Sequence, residues 1–233
     1  MSTPQLVTEA IILTRVEYGE ADRIITMLTP EQGKLRLIAK GVRRVKSKLA
    51  GSIELFSVTN ITYIRGRSEI GTLISARLTI HYGHIVQSLD RTMLGYELIK
   101  RLNKVTEDEP EPDYFHLLQH AFSALDDPAI STDLIKLWFD AQLLRLGGHM
   151  PNLQTEPDGT RLEAGKSYEF SFDDSSFISR PGAPYDTDTI KYLRLVFSGN
   201  EPHVLSKVEG WTAFVNTCLP LVANLRQLHL RVS

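Results

Sequence analysis

The sequence predicts an α+β protein: a small β-barrel over residues 1–82, then an α-helical domain over residues 83–233. Two shifts in pattern carry this reading. Short β-rich runs with glycine turns fill the first eighty residues, and from about Ile85 apolar residues recur at helical spacing. Charge divides at nearly the same place. Residues 1–80 hold 12 basic and 7 acidic side chains, net +5, and residues 81–233 carry net -7, within a chain of net charge -2. The split reads as a basic module joined to an acidic one.

The strands follow in order. VTEAIILTRVEYG opens with the apolar run Ala10–Leu13 and breaks at Gly19. Ile24–Leu28 is rich in β-formers, and Thr29-Pro30-Glu31-Gln32-Gly33 is a strong turn. Beyond it Leu35, Leu37 and Ala39 alternate with Lys34, Arg36 and Lys40, Ile38 excepted. A period of two places the leucines on one face and the cations on the other. Further β-rich runs lie between Glu54 and Gly83, with Arg65-Gly66-Arg67-Ser68 as a hairpin connection. Five such strands fit an OB-fold barrel or an SH3-like barrel, and strand counting does not separate the two.

The second part is helical. Leu89, Met93, Leu94, Tyr96, Leu98 and Leu102 form an apolar stripe, and Asp90 supports the first turn. TEDEPEPD is an acidic loop that its two prolines keep out of any continuous helix. Helical spacing resumes over Tyr114–Leu125, and Ser131 or Thr132 caps a third helix that stops at Gly147-Gly148. Residues from about 149 to 185 read as an irregular insertion with a β-like patch at Ser167–Phe172. Helix returns over Asp186–Phe197 and in the last segment, where Pro220 is a point of kinking or division.

Nothing in the composition announces an enzyme. No zinc-protease, serine-hydrolase, P-loop or dinucleotide motif is present. The histidine pairs His81/His84 and His116/His120 are each too few for a metal site, and the carboxylates of Glu107–Asp113 read as a solvated loop. The single cysteine, Cys218, excludes an intramolecular disulfide and sits in apolar TAFVNTCLPLV, as a structural thiol does. There is no run of about 18 apolar residues and no secretory pattern, so a cytoplasmic protein without cofactor or metal is expected.

The strongest signal is the stretch KLRLIAKGVRRVKSKLAG. Between residues 34 and 48 it carries seven Lys or Arg and no acid. Lys34 and Arg36 fall on the strand, and Lys40, Arg43, Arg44, Lys46 and Lys48 follow in a loop with few anchors of its own. Such an array neutralises successive backbone phosphates, Ser47 adds a hydrogen bond, and the loop is expected to order on binding. Arg65 and Arg67, at the hairpin, complete the candidate nucleic-acid-binding set. Of the aromatics in this module, Tyr63 shares strand parity with Arg65, which marks the two as an outward pair.

YGEADR, LTPEQGK, AKGVRR and SKLAG occur in that order, with YELIKRL after residue 95 and LLRLGGHMPNL beyond. On these segments the chain resembles the RecO family of bacterial DNA repair and recombination mediators. The resemblance implies an OB-fold followed by a helical domain. It also implies binding of single- and double-stranded DNA, annealing of complementary strands, and action with RecR to load RecA onto DNA coated by single-strand-binding protein (SSB). The SSB C-terminal tail would dock on the helical domain, and the protein would associate with the nucleoid. The family's AKGxRR and serine-lysine positions fall on Ala39, Lys40, Gly41, Arg43, Arg44, Ser47 and Lys48.

One departure stands out. Many relatives hold zinc with four cysteines after the glycine-proline segment, and here LQTEPDGTRLEAGKSYEFSFDD has none. Asp158, Asp173 and Asp174 are poor substitutes for thiolate and imidazole. A metal-free subdomain held by Tyr168, Phe170, Phe172 and Phe177 is expected instead. A rival reading is a protein-interaction adaptor acting mainly through the acidic helical domain.

Overall fold

The computed structural model describes residues 4–66 and 69–230. The chain divides into two compact units after Asp127. The first holds five strands: β1 (Gln5–Tyr18), β2 (Asp22–Thr29), β3 (Gly33–Ala39), β4 (Ser57–Ile64) and β5 (Ile70–His81). They close in the order β1-β2-β3-β5-β4. The long β1 makes closure possible, pairing with β4 through Gln5–Ile11 and with β2 through Ile11–Tyr18. All pairings are antiparallel except β3 with β5, where three registered pairs, Arg36↔Ile70 to Ile38↔Thr72, run parallel. Gly71 lies in this short seam. A Cβ there would stand 2.7 Å from the Ile64 carbonyl oxygen and 2.9 Å from Leu37 Cδ2, so a larger residue would push the seam apart.

The strand periodicity explains the interior. Ala10 and Ile12, Ile25 and Met27, Leu37 and Ala39, and Ile61 and Tyr63 are each two residues apart, and all enter one buried cluster. The run Ala10–Leu13 is apolar at every position because β1 is covered on both faces. Ile11 and Leu13, of opposite parity to the interior pair, are buried as well. Helices α1 (Leu89–Val105) and α2 (Pro112–Asp126) belong to this unit, touching each other, β1 and β2. The compact unit therefore takes in these two helices and extends to Asp127. Phe56 joins the layers: its ring meets Tyr96 and Phe122 edge-on, each at 5.4 Å. It also lies against Gly95, where a Cβ would come within 2.5 Å of the ring. The predicted stripe of α1 is buried only in part. Leu94, Leu98 and Leu102 are covered together with Gly95 and Ile99, whereas Leu89, Met93 and Tyr96 stay exposed.

The second unit is built on α3 (Thr132–Leu146), which packs against α4 (Thr187–Phe197), α5 (Pro202–Leu205) and α6 (Trp211–Leu230). Ser131 caps α3 by accepting from Asp133 N, and Pro112 opens α2 at a position where no N–H is needed. Every position from Leu134 to Leu144 except Lys136 is buried, so α3 is the central helix of its unit. Its Asp140 meets Arg226 of α6 at 2.9 Å, and both side chains are buried. Helix α6 runs unbroken through Pro220, which does not divide it.

Between α3 and α4 lies a three-stranded sheet, β6 (Ser167–Ser171), β7 (Ser176–Ser179) and β8 (Tyr185–Asp186), in the order β7-β6-β8. Phe170 contacts Phe172 and Phe177 edge-on at 5.1 Å, and Phe177 meets Tyr185 at 5.3 Å. Tyr168 and Phe177 are fully buried, while Phe172 is largely exposed. The residues present do not fit a zinc site. Cys218 lies buried on α6, Asp158 and Asp174 close local turns with Thr160 and Ser171, and no cluster of three His, Cys, Asp or Glu exists among the described residues.

Candidate nucleic-acid interface

The predicted cations separate into two groups at opposite ends of β3. From Lys34 to Lys40 the strand covers about 20 Å at roughly 3.3 Å per residue. At its start, Lys34 is half-buried and its ammonium donates to the Asn103 carbonyl oxygen at 2.6 Å. Burial lowers its pKa below the ordinary 10.5, as does Arg36, while Asp108 and Glu107 act in the opposite direction. Arg36 lies 3.7 Å from Glu69. Arg65 donates to Gln32 Oε1. Arg67 lies outside the described residues.

The acidic loop reaches this end as well. Its backbone lies on Gly33, where a Cβ would meet the Asp108 carbonyl oxygen at 2.6 Å. Gly33 has φ 65°, so both its conformation and its neighbours require glycine. The carboxylates of Glu107, Asp108 and Glu109 remain exposed. The sequence shows a solvated acidic loop but not the strand it rests against.

The other end carries Lys40, Arg43, Arg44, Lys46, Ser47 and Lys48 in a succession of turns. The loop has firm anchors, contrary to expectation. Val42 is buried in the barrel core, and Leu49 packs partly against it. The Gly41 amide donates to Asp22 Oδ1 at 2.7 Å, and the Arg43 amide to the Ala21 carbonyl at 2.9 Å. Ser47 turns inward to accept from the Leu49 amide at 3.3 Å rather than standing free. Two apolar side chains and a borrowed aspartate therefore hold a segment that its charge alone would leave loose.

Lys40, Arg43, Arg44, Lys46 and Lys48 are all exposed. Arg43 approaches Glu17 at 3.4 Å; among the described residues Lys40, Arg44, Lys46 and Lys48 have no ion pair. Five cations thus share one short surface, where Glu17 is the one ion-pair partner among the described residues and Asp22 is turned to the Gly41 amide. Two neighbours complete the surface: Val45, which the sequence reading missed, and Tyr18, one of the module's aromatics that it ranked below Tyr63. Val45 is fully exposed at the loop tip, and Tyr18, at the end of β1 beside the Glu17 that Arg43 meets, is 54% exposed. The outward pairing of Tyr63 with Arg65 is overturned: Tyr63 is 1% exposed, inside the barrel. Phe56 and Tyr82 are buried too, so Tyr18 is the aromatic available beside the cations. Parity ranks residues along one strand but does not say which parity faces inward.

Comparison with known proteins bears on both units. Residues 1–82 match the family model described as Recombination protein O N terminal, and residues 91–231 that of Recombination protein O C terminal. DNA repair protein RecO of Dehalococcoides mccartyi is 28% identical over 204 residues, covering 84% of this chain and 80% of the relative. The protein of the same name from Desulfatibacillum aliphaticivorans is 31% identical over 153 residues, 64% of this chain and 59% of the relative. That of Rhodopirellula baltica is 34% identical over 147 residues, 62% of this chain and 54% of the relative. In these last two the chain spans a little over half the relative's length. With both halves matched in order, the chain belongs to the RecO family.

Proposed function

We propose that this protein is a non-catalytic DNA-binding mediator of recombinational repair. Family membership makes it a DNA repair protein of the recombination pathway. The observation that carries the finer reading is the surface formed by Lys40, Arg43, Arg44, Lys46 and Lys48, exposed and nearly free of internal acids. Cations left without internal partners are available to phosphates, and Tyr18 offers a ring on which a base can stack. The strand order and the single parallel pairing of β3 with β5 support reading the barrel as an OB-fold.

In this reading the basic surface holds DNA by its backbone, without regard to sequence. Bound cations reduce the repulsion between two strands, and base pairing supplies the specificity of annealing. No bond is made or broken by the protein. RecR, the SSB tail and RecA-loading belong to the same proposal, as partners of a protein that delivers strands rather than cuts them.

The test is a salt series of binding to fluorescent single-stranded DNA, with an annealing assay on the same sample. Binding that falls steeply with salt, together with faster annealing, is expected. Four to five phosphate contacts predict a slope of about -3 in log K against log salt. Absence of binding at low salt would sink the proposal. Incubation of labelled DNA with magnesium or manganese should leave it intact.

A further inference from the structure

The loop between α1 and α2 carries Glu107, Asp108 and Glu109, and the fold fixes where they stand. At its start Thr106 is buried, its hydroxyl donating to the Leu102 carbonyl oxygen at 2.9 Å, and at its end Pro112 opens α2. Between these points the backbone of Asp108 and Glu109 lies on Gly33, and Pro110 follows directly. A segment seated this closely and stiffened by proline presents its side chains at one place instead of sweeping through solvent.

That place is the Gly33 end of β3. Asp108 lines the mouth of a surface cleft together with Lys34, Arg36 and Arg65. Asp108 and Glu107 both favour the charged form of the Lys34 ammonium, against the effect of its burial. Glu69, on the rim of the same cleft, lies 3.7 Å from Arg36. A carboxylate beside a guanidinium or an ammonium stands where a phosphate would, because both are anionic acceptors for the same N–H groups. At the Lys40 end, the one ion pair that the five cations make among the described residues is that of Arg43 with Glu17.

From this asymmetry we infer that the acidic loop is a resident competitor for DNA: its carboxylates repel phosphates from the Gly33 end and confine the bound strand to the Lys40 end. The range of charge makes the effect local. The two ends lie about 20 Å apart along β3, and at 0.1 M salt exposed charges are screened beyond ~10 Å. The loop therefore weakens binding at its own end and leaves the other nearly untouched. Lys34, Arg36 and Arg65 form a latent half of the path, which a strand fills when the charge of the loop is removed. A strand held at one end is released more readily than one held along the whole of β3, which suits a protein that passes strands on. The inference rests on the proposed DNA binding and adds to it a brake on the same surface.

The experiment replaces the loop charges together, by Glu107→Gln, Asp108→Asn and Glu109→Gln. These changes keep side-chain shape, and the contacts to Gly33 are made by main chain. Binding of a fluorescent oligothymidylate near 0.1 M salt is compared for the full-length protein and the loop variant. The loop variant is expected to bind about tenfold more tightly, with a salt slope steeper by about 1.5, as for two further phosphates. The decisive reading is coupling. The loss caused by Arg36→Gln with Arg65→Gln should grow from about fivefold in the parent to about 30-fold in the loop variant, whereas the loss caused by replacing Lys40, Arg43 and Arg44 should stay on the order of 100-fold in both. Unchanged affinity would overturn the inference. So would a gain that leaves the Arg36 and Arg65 loss at fivefold, since that gain would come from charge acting at a distance; backbone binding would stand in either case. Failure of parent and loop variant alike to bind at low salt would overturn the DNA-binding reading with it.

Discussion

The two ends of β3 carry similar charge in different surroundings. At the Gly33 end, Lys34 is half-buried against the Asn103 carbonyl, Arg36 lies near Glu69, Arg65 binds Gln32, and the acidic loop rests on the backbone. At the Lys40 end, five cations stand exposed, and among the described residues the one ion pair they make is that of Arg43 with Glu17. A basic residue in a sequence is therefore not yet a phosphate ligand. Its availability depends on which carboxylates and carbonyls the fold brings within reach, and cations already engaged must exchange one partner for another.

The largest effect should come from the open end. Replacing Lys40, Arg43 and Arg44 together with alanine is expected to weaken single-strand binding on the order of 100-fold near 0.1 M salt and to flatten the salt slope by about 2. Unchanged binding by the folded triple variant would break the comparison outright. Next comes Tyr18→Ala, with a loss of about tenfold, since it removes a stacking surface and no charge. Its salt slope should match the wild type, which separates stacking from charge loss in the same titration.

At the engaged end the expected effects are smaller. Arg36→Gln with Arg65→Gln should lower affinity about fivefold. Lys34→Met should leave binding within about twofold, because its ammonium is held by a main-chain oxygen. Its effect belongs to stability: denaturant unfolding should show a loss of about 1.5–3 kcal/mol, the range for a hydrogen bond involving a charged group. A Lys34 variant that binds as poorly as the triple variant would show that the two ends form one surface. Smallest of all, Glu69→Gln should release Arg36 and raise affinity about twofold, as expected for an exposed ion pair worth under about 1 kcal/mol.

Much of this architecture is legible in the residues, for reasons that differ by element. The alternation of Leu35, Leu37 and Ala39 with cations marks β3, because a strand has a period of two and one face of this one is buried. Ser131 and Asp186 mark helix starts, each with a side chain that accepts from an amide of the first turn. The cation set between residues 34 and 48 is equally plain, since it depends on composition alone. Tyr63 was misread because its parity with Arg65 fits either face of a strand at a barrel end. The anchoring by Val42 and Asp22 was out of reach because Asp22 lies 19 residues before the amide it binds.

Local rules settled what the chain by itself could decide. The β-rich first part, the helical remainder, the turn glycines and the charge of the 34–48 segment all follow from periodicity, capping and composition over a few neighbouring residues. Tertiary structure decided which cations are free. It laid Asp108 and Glu109 on Gly33, placed Glu17 beside Arg43, turned Tyr63 inward and left Tyr18 outside. The physical reason is range. Backbone preference acts between adjacent residues, whereas burial and ion pairing depend on distances that exist once the barrel has closed and α1 has packed against it.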